Sequence, residues 1–477
     1  MNELLLVLPP LIFALGGVVL LMVDLAIPRE RKSLTAGMAA VVSAAAALCA
    51  ILQWGLAGSG FQGMISVDGV ALALDALVGV IGVMTIGLSL RYNALRGILR
   101  GEFFVLMLFS LSGMALIGHA ANLLTIFLAI ELLSIPLYVL SGIARPRLDS
   151  EESAMKYFLL GAFASGFLVF GMALVYGATG QLSLTGIART LITSTSVPLL
   201  VVGAALMLVG LGFKVAAAPF HMWTPDVYQG APTTVTAFMS TATKAAGFVA
   251  LLRVFGVALG DLANVWQPAF AALSALTMMI GNLGALTQIN LKRMLAYSSI
   301  AHAGYLLMGL AAGGVSGVRG VVFYLPAYAA ASLAAFAAMT AAHNGEEDQS
   351  ISAYAGLSRT RPGWALVMAV AMLSLLGIPP TAGFVGKYML FQSAIDVGLV
   401  PLAVIGVLTS VVSGYYYLRV IVTMYFEAPP EGVAVTKGNR LSLHWVTGAI
   451  AAAASIVLGI LPAPLINAVT AGVTSIR

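Results

Sequence analysis

Long apolar stretches separated by short polar segments dominate the pattern of this chain. A helix needs about 20 apolar residues to cross a membrane, and stretches of that length recur along all 477 residues. The pattern predicts fourteen crossings, near residues 3–26, 34–56, 70–91, 103–118, 122–141, 154–177, 197–217, 232–258, 267–288, 291–313, 318–342, 363–392, 400–425 and 443–470. The longest connectors, 178–196, 343–362 and 426–442, are too short for a soluble domain. We therefore predict an all-α polytopic membrane protein with about fourteen transmembrane helices.

The composition supports this class and excludes several functions. Hydrophobic residues make up 60% of the chain and charged residues 9%, whereas a soluble domain carries about 25% charged residues. The net charge of +5 is dispersed, which gives no support for nucleic-acid binding. The single cysteine, Cys49, excludes a disulfide framework and a thiolate metal cage. The chain has no phosphate-binding or dinucleotide-binding motif. Histidines and carboxylates do not recur at the spacing of metal ligands. The opening MNELLL has Glu3 and no positive charge, so we expect a first span rather than a cleaved signal.

Basic residues predict the orientation, because lysine and arginine collect in cytoplasmic loops. With the N-terminus outside, the odd-numbered loops carry 15 basic residues and the even-numbered loops with the C-terminus carry 3. The larger group is Arg29, Arg31, Lys32, Arg91, Arg96, Arg100, Arg145, Arg147, Lys156, Lys292, Arg293, Arg359, Arg361, Lys437 and Arg440. The smaller group is Arg189, Arg319 and Arg477. Both termini are therefore expected on the outer side.

A few ionisable residues remain inside apolar segments. Such groups indicate function by default, because inserting a charge into a bilayer costs about 2.5–3.5 kcal/mol. Glu131 is the one acidic residue placed well inside a span, whereas Asp24 and Asp75 lie near span ends, where we expect them to reach the interface. The basic residues of this kind are Lys214, Lys244, Arg253, Lys387 and Arg419.

Two stretches combine a buried lysine with a broken helix. Residues 211–244 hold Lys214 and Lys244 around three prolines, and Lys387 follows the Pro379–Pro380 pair. Proline interrupts a helix, and broken helices are tolerated in a membrane only where protein or a wet cavity surrounds them. Interrupted segments in corresponding positions of two halves indicate inverted repeats. We predict a repeat of spans 4–8 (101–260) and another of spans 9–13 (261–426), after leading helices (1–100) and before a C-terminal helix (427–477).

Each of these residues has a functional and a structural interpretation. A Glu131–lysine pair whose separation changes would alter the proton affinity of the lysine; the alternative is a static ion pair. Lys214 either carries a proton or extends to the cytoplasmic interface. Arg253 and Arg419 are equally compatible with gating and with structure. His221 and His302 either relay protons or are buried hydrogen-bonding residues. His119, His343 and His444 fall at span ends, where no special role is expected.

Three longer motifs resemble a known family. GFKVAAAPFHMWTPDVYQGAPTTVTAF, KRMLAYSSIAHAGYLL and GIPPTAGFVGKYMLF are similar to the antiporter-like, proton-translocating membrane subunits of respiratory complex I (NADH–quinone oxidoreductase), and within them to the subunit N type. The resemblance covers nearly the whole chain. It implies fourteen helices with two inverted five-helix repeats and broken seventh and twelfth spans.

The resemblance also implies a function and its residues. Glu131, Lys214, Lys244 and Lys387 match the family's glutamate and lysines, and His302 matches a relay position; together they would pass protons. No cofactor is expected in this subunit, with NADH, FMN, Fe–S clusters and quinone bound by partner subunits. The expected partners are neighbouring antiporter-like and small membrane subunits in a bacterial inner membrane, with no nucleic acid. The alternatives are a subunit of a multisubunit cation/proton antiporter and a non-pumping scaffold.

Overall fold

A computed structural model describes residues 3–191, 197–342, 348–429 and 442–474. His343, Lys437, Arg440 and Arg477 lie outside the described residues. The α-helices are α1 Leu8–Ala26, α2 Lys32–Leu52, α3 Gly69–Leu95, α4 Gly101–His119, α5 Leu123–Ser141, α6 Leu148–Thr179, α7 Leu184–Leu191, α8 Val197–Val215, α9 Trp223–Gly230, α10 Thr233–Ala258, α11 Ala263–Leu286, α12 Leu291–Ala312, α13 Gly314–Ala342, α14 Leu357–Thr360, α15 Pro362–Leu376, α16 Ala382–Asp396, α17 Val400–Phe426, α18 Leu443–Ile460 and α19 Ala463–Val473. A hairpin pairs β1 Gly58–Gly60 with β2 Ile65–Val67 in antiparallel register.

The predicted number of crossings is confirmed. Within the described ranges, thirteen helical segments are long and apolar enough to cross a membrane. The two shorter helices α15 and α16 together form the remaining crossing, interrupted at residues 377–381. The seventh span is also broken, because α8 ends at Val215 and α9 begins at Trp223. Both predicted breaks are therefore present.

Some local features differ from the predictions. The span expected over 443–470 is interrupted at Leu461–Pro462, because proline cannot continue the hydrogen-bond ladder of α18. The connector 178–196 contains the short helix α7. The hairpin occupies residues between the second and third spans, and its three-residue strands were too short to predict from the sequence.

One local motif occurs in both halves of the chain and shows their opposite orientation. Asn122 caps the start of α5 and forms a β-bridge to Ser183, and Asn290 caps the start of α12 and forms a β-bridge to Ser350. The first motif joins two even-numbered loops, and the second joins two odd-numbered loops. The same element therefore lies at opposite ends of the bundle, as an inverted repeat requires. The residue boundaries of the two repeats stay a prediction.

Candidate functional site

Lys214 lies at the centre of a buried pocket at the end of α8. Its side chain is 5% exposed, and its ammonium donates to Ser134 Oγ at 2.8 Å and to Tyr138 OH at 3.4 Å. The ring centroids of Tyr138 and Tyr157 lie 5.6 Å and 5.9 Å from the same nitrogen, a range in which cation–π attraction operates. The carbonyl end of α8 also favours a cation. Lys214 is thus held inside the protein and does not extend to the interface.

Glu131 lies one helical turn before Ser134 on α5, but it forms no direct ion pair with Lys214. The Ser165 hydroxyl donates to Glu131 Oε1 at 2.5 Å. Both Glu131 and Ser165 are only half-buried. Among the described residues, Glu131 accepts from Ser165, and Lys214 donates to Ser134 and Tyr138. Each of the two charged groups therefore bonds to hydroxyl groups and not to the other charged group. The carboxylate therefore acts on the lysine from a distance in this conformation.

The break after α8 is locally strained. Ala216 has φ +61°, a left-handed conformation that costs an alanine about 1–2 kcal/mol. The chain is fixed on both sides of it, because Ala217 N–H donates to Gly212 O at 2.9 Å and Ala218 N–H donates to Thr277 Oγ1 at 2.9 Å. Trp223, the first residue of α9, donates from Nε1 to Phe213 O at 3.0 Å. The interrupted helix is therefore tied directly to the Lys214 pocket.

A small apolar gap lies between Lys214 and α10, the helix that carries Lys244. Thr243 and Gly247 of α10 border it on one side, and Lys214 borders it on the other. Thr243 Oγ1 is buried and has no hydrogen-bond partner among the described residues. The neighbouring Lys244 points away from this gap. A π turn over residues 239–243 precedes Lys244, and such turns reorient the side chains that follow them.

Lys244 and His302 belong to a second buried cluster. The Lys244 ammonium donates to the carbonyl oxygen of Ser299, one turn before His302 on α12. His302 Nδ1 contacts Tyr324 OH at 2.5 Å, and its Nε2 contacts Tyr417 OH at 3.1 Å. All five residues are buried. Ser299 thus brings the Lys244 ammonium within one helical turn of His302, whose ring nitrogens contact two tyrosine hydroxyls. No hydrogen bond among the described residues joins the lysine to the histidine.

Lys387 borders this cluster on its far side. Its ammonium donates to Leu376 O at 2.8 Å and Ser410 Oγ at 2.9 Å, and it lies 4.7 Å from the ring centroid of Tyr305. Leu376 ends α15, so Lys387 satisfies a carbonyl that the break leaves open. Gly377 is required beside it, because its φ is +88° and a Cβ there would lie 2.9 Å from Lys387 Cδ.

A polar vestibule of about 500 Å³ opens where several odd-numbered loops meet. Its central carboxylate, Asp226, accepts from Lys156 Nζ at 2.7 Å and from Arg293 Nη1 at 2.7 Å. Burial alone would raise the pKa of Asp226, but these two cations lower it below its ordinary value. Residues of four odd-numbered loops line the vestibule. The structure therefore places these loops at the same end of the bundle, as fourteen crossings require. Its lining residues include Arg147, Asp149, Gln229, Asn290 and Gln349.

The two intramembrane arginines make structural contacts. Arg253 forms a bidentate pair with Asp68, at 2.6 Å and 2.9 Å, and also donates to Gly118 O. Arg419 donates to the carbonyl oxygen of Gln288. His221 is half-buried in the break after α8, and its Nδ1 has no partner among the described residues.

Four expectations about ionisable residues are wrong. Asp75 does not reach the interface: it and His119 are both 0% exposed and lie 2.6 Å apart, so His119 is not an ordinary span-end residue. Asp24 is also buried, where Lys32 and Thr35 donate to it. Lys292 is fully buried and donates to Ala231 O rather than lying in a loop. Partners distant in the sequence determine the positions of Asp75 and Lys292. The partners of Asp24 are only 8 and 11 residues away, on α2.

Comparison with known proteins agrees with this geometry. The family model described as NADH:quinone oxidoreductase/Mrp antiporter, TM, matches residues 120–413. NADH-quinone oxidoreductase subunit N 2 of Roseiflexus castenholzii is 46% identical over 463 residues, covering 94% of this chain and 92% of the relative. A chain of respiratory complex I from Thermus thermophilus is 38% identical, with a TM-score of 0.84, and the match covers 97% of this chain and 100% of that one. A chain of the Mrp complex from Dietzia sp. has a TM-score of 0.86 at 20% identity, with coverage of 99% and 97%, and shares the fold.

The fourteen crossings, the two interrupted spans and the buried lysines define an antiporter-like membrane subunit. The family match over 120–413 and the 46% identity over almost the full length make this assignment specific. The chain belongs to the NADH:quinone oxidoreductase/Mrp antiporter transmembrane family, in its subunit N branch.

Proposed function

We propose that this chain translocates protons across the bacterial inner membrane as a membrane subunit of NADH–quinone oxidoreductase. The observation that carries the proposal is the series of buried cations and proton-exchanging side chains through both repeats. Lys214, Lys244 and Lys387 are each 5% exposed or less, and His302 with its tyrosines lies between the last two. Apolar burial of three lysines needs a functional reason, because an ionisable group at membrane depth is costly.

The proposed route begins at the vestibule side, which the loop charges make cytoplasmic, and both termini lie on the outer side. A proton reaches Lys214, crosses to Lys244, passes through His302 and reaches Lys387, from which it leaves to the outer phase. Moving one charge against ~150 mV costs about 3.5 kcal/mol. A lysine–carboxylate contact at 4 Å gains about 4 kcal/mol at an effective dielectric constant near 20. Bringing Glu131 and Lys214 into contact is therefore of the right magnitude to drive one step.

The energy comes from quinone reduction in partner subunits. NADH, FMN, Fe–S clusters and quinone bind those partners, and this chain contributes the proton path without a cofactor of its own. Glu131 and Ser165 are half-buried where α5 and α6 meet at the surface of the chain. A neighbouring antiporter-like or small membrane subunit that covers this surface would bury the carboxylate further and strengthen its effect on Lys214.

Substitution of the relay lysines in the assembled complex tests the proposal. Lys387→Ala and Glu131→Gln are expected to lower proton uptake per NADH oxidised in reconstituted vesicles. Tyr388→Phe is a matched control, because Tyr388 is 57% exposed and adjacent to Lys387 on α16. Normal pumping by the assembled Lys387→Ala and Glu131→Gln complexes would show that these residues are not the relay, and would favour a scaffold role.

A multisubunit cation/proton antiporter is the alternative assembly. The Mrp chain is 20% identical to this chain, so their similarity concerns the fold. The relatives at 40–47% identity are named NADH-quinone oxidoreductase subunit N. Isolation of the native complex distinguishes the two: flavin and Fe–S subunits are expected to co-purify with this chain. Co-purification with other antiporter subunits alone would contradict the proposal.

A further inference from the structure

Asp75 and His119 form a buried pair that the proposed relay does not use. Asp75 is in the second turn of α3, and His119 is the last residue of α4. The Asp75 Oδ2 to His119 Nε2 distance is 2.6 Å, and both side chains are 0% exposed. Asp75 Oδ1 and His119 Nδ1 are buried without a hydrogen-bond partner among the described residues. Such unsatisfied atoms are rare in a purely structural pair.

The pair lies beneath the even-numbered loops, opposite the vestibule. The bridge between Ile65 of the hairpin and Ala120 holds the cover against the end of α4. The cover is apolar and consists of the hairpin and the N-terminal turn of the chain. Its buried residues are Leu6, Val7, Ile65 and Val67, which pack against Ala50 of α2 and Leu72 of α3. Bulk water is therefore kept from the pair, although it lies near one end of the bundle.

Few charged or titratable groups face the pair. Cys49 on α2 and Asp68 at the start of α3 interact electrostatically with Asp75. Arg253 on α10 reaches the same region, because its guanidinium donates to the carbonyl of Gly118, next to His119. Arg253 is also the bidentate partner of Asp68. These groups set the charge balance around the pair.

Counting these charges shows that the pair should hold a proton. Arg253 neutralises Asp68, and a guanidinium is always protonated. Among the described residues, Asp75 then has no partner except the imidazole of His119. An uncompensated carboxylate in an apolar enclosure is strongly unfavourable. With Asp75 ionised and His119 neutral, the enclosure carries one negative charge. It becomes neutral only if one further proton binds, either to His119 Nε2 or to Asp75 Oδ2.

We propose that Asp75 and His119 form a proton-binding site at the outer end of the bundle, where the leading helix α3 meets the first repeat, loaded with one proton in this conformation. The proton binds from water and returns to water, and no electron is transferred. Arg253 links the site to the relay, because α10 carries both Arg253 and Lys244. A movement of α10 that accompanies a change at Lys244 would therefore also move the partner of Asp68 and Gly118. The assignment to the outer side rests on the proposed function.

Magnetic resonance on the unmutated complex tests whether the proton is present. We would label the complex with ¹⁵N-histidine and ¹³C-aspartate and select the histidine coupled to an aspartate carboxyl carbon. This chain has 5 histidines, and His119 is the only one hydrogen-bonded to a carboxylate in the described ranges; its signal is assigned by its loss in His119→Gln. At neutral pH we expect either an imidazolium or a protonated carboxyl. A neutral imidazole beside an ionised carboxylate would overturn the proposal.

Pumping measurements test the role of the site. Asp75→Asn and His119→Gln are expected to lower vesicle acidification per NADH oxidised by about tenfold or more, tenfold being the lower end of the effect of losing one charged hydrogen-bond partner. His444→Gln is the matched control, because His444 is also buried but bonds to Thr340 and a carbonyl, not to a carboxylate. Normal pumping by the Asp75 and His119 variants would refute the inference.

Lys387→Ala, measured in parallel, separates this inference from the proposed function. Impaired pumping in Lys387→Ala with normal pumping in the Asp75 and His119 variants would contradict only the inference. Normal pumping in Lys387→Ala would contradict the proposed relay. If neither dyad variant assembles, the signal is assigned instead by its shift in Cys49→Ala, because Cys49 interacts electrostatically with Asp75, and the resonance measurement on the unmutated complex still decides whether the pair binds a proton.

Discussion

Replacing Ser134 with alanine should weaken proton binding at Lys214. Ser134 Oγ accepts from the Lys214 ammonium at 2.8 Å, whereas Tyr138 OH is 3.4 Å away, beyond the usual range of a strong hydrogen bond. Ser134→Ala therefore removes the main acceptor of a buried cation. A hydrogen bond to a charged group contributes about 1.5–3 kcal/mol, which corresponds to roughly a 10- to 150-fold loss of proton affinity at Lys214.

The assay is proton pumping by the reconstituted complex as a function of pH. Because the charged form of Lys214 is destabilised, the pumping rate of Ser134→Ala should need a lower pH to reach its maximum. Ser110→Ala is the control: Ser110 is buried on α4 and donates to Leu133 O at 2.8 Å, so its loss removes a hydrogen bond beside the pocket without touching the lysine. Identical pH profiles for Ser134→Ala and Ser110→Ala would refute the assigned role of Ser134.

Two further predictions concern packing and loop charge. A Cβ on Gly247 would lie 2.8 Å from Val215 Cγ1, so Gly247→Ala should lower the thermal stability of the complex by about 1–3 kcal/mol, whereas Gly256→Ala, which meets nothing within 4 Å, should not. Asp226 has a lowered pKa in the folded chain, so its ion pairs stabilise the fold fully at pH values above 3.8, the ordinary pKa of the group. That contribution is lost as the pH falls through the lower pKa of the folded state. Asp226→Asn should therefore lower the free energy of unfolding at pH 7 by less than about 1 kcal/mol for each half-exposed ion pair that it removes. Thermal unfolding should show no difference from the native chain in acid; a constant difference at both pH values would contradict the ion-pair explanation.

The crossings, the breaks and the buried lysines could be predicted because their signals are local. The length of an apolar run defines a span, and the Pro379–Pro380 pair cannot continue a helix whatever surrounds it. The position of Lys387 beside that break follows from the sequence alone. The opposite directions of Lys244 and Arg253 also follow, because nine residues of helix correspond to about 180° of rotation. The structure places their partners on different helices, Ser299 on one side and Asp68 on the other.

The partners of buried charges could not be predicted, because they come from distant parts of the chain. Asp75 and His119 are 44 residues apart, and Lys292 is 61 residues from its acceptor, Ala231. Their positions near span ends suggested access to water. The hairpin cover removes that access for Asp75, and the end of α9 removes it for Lys292. A rule that assigns a side chain to water or to the membrane interior from its depth along one helix cannot account for such covers.

In the proposed relay, the gap between Lys214 and α10 is the step at which proton transfer would depend on one hydroxyl. Thr243 is the one uncharged polar side chain that borders it in the described structure; the other uncharged lining residues are Ile117, Ile130, Leu133, Leu211, Gly247 and Ala250. Its Oγ1 is buried without a protein partner among the described residues, so Thr243→Val keeps the shape and removes no hydrogen bond within the chain. We expect unchanged or slightly higher thermal stability, because an unsatisfied hydroxyl is lost. Pumping should nevertheless fall, because a proton crossing from Lys214 then meets only hydrocarbon.

Thr85→Val is the control for this substitution. Thr85 on α3 is 0% exposed, and its hydroxyl likewise has no partner in the described part of the chain, but it does not border the gap. The two variants should match in thermal stability and differ in proton uptake per NADH. Equal uptake by both would mean that protons do not pass the Thr243 hydroxyl. Lys214 and Lys244 would then have to be connected by another route, with the movement of α9 or α10 opening water-filled space that this conformation closes.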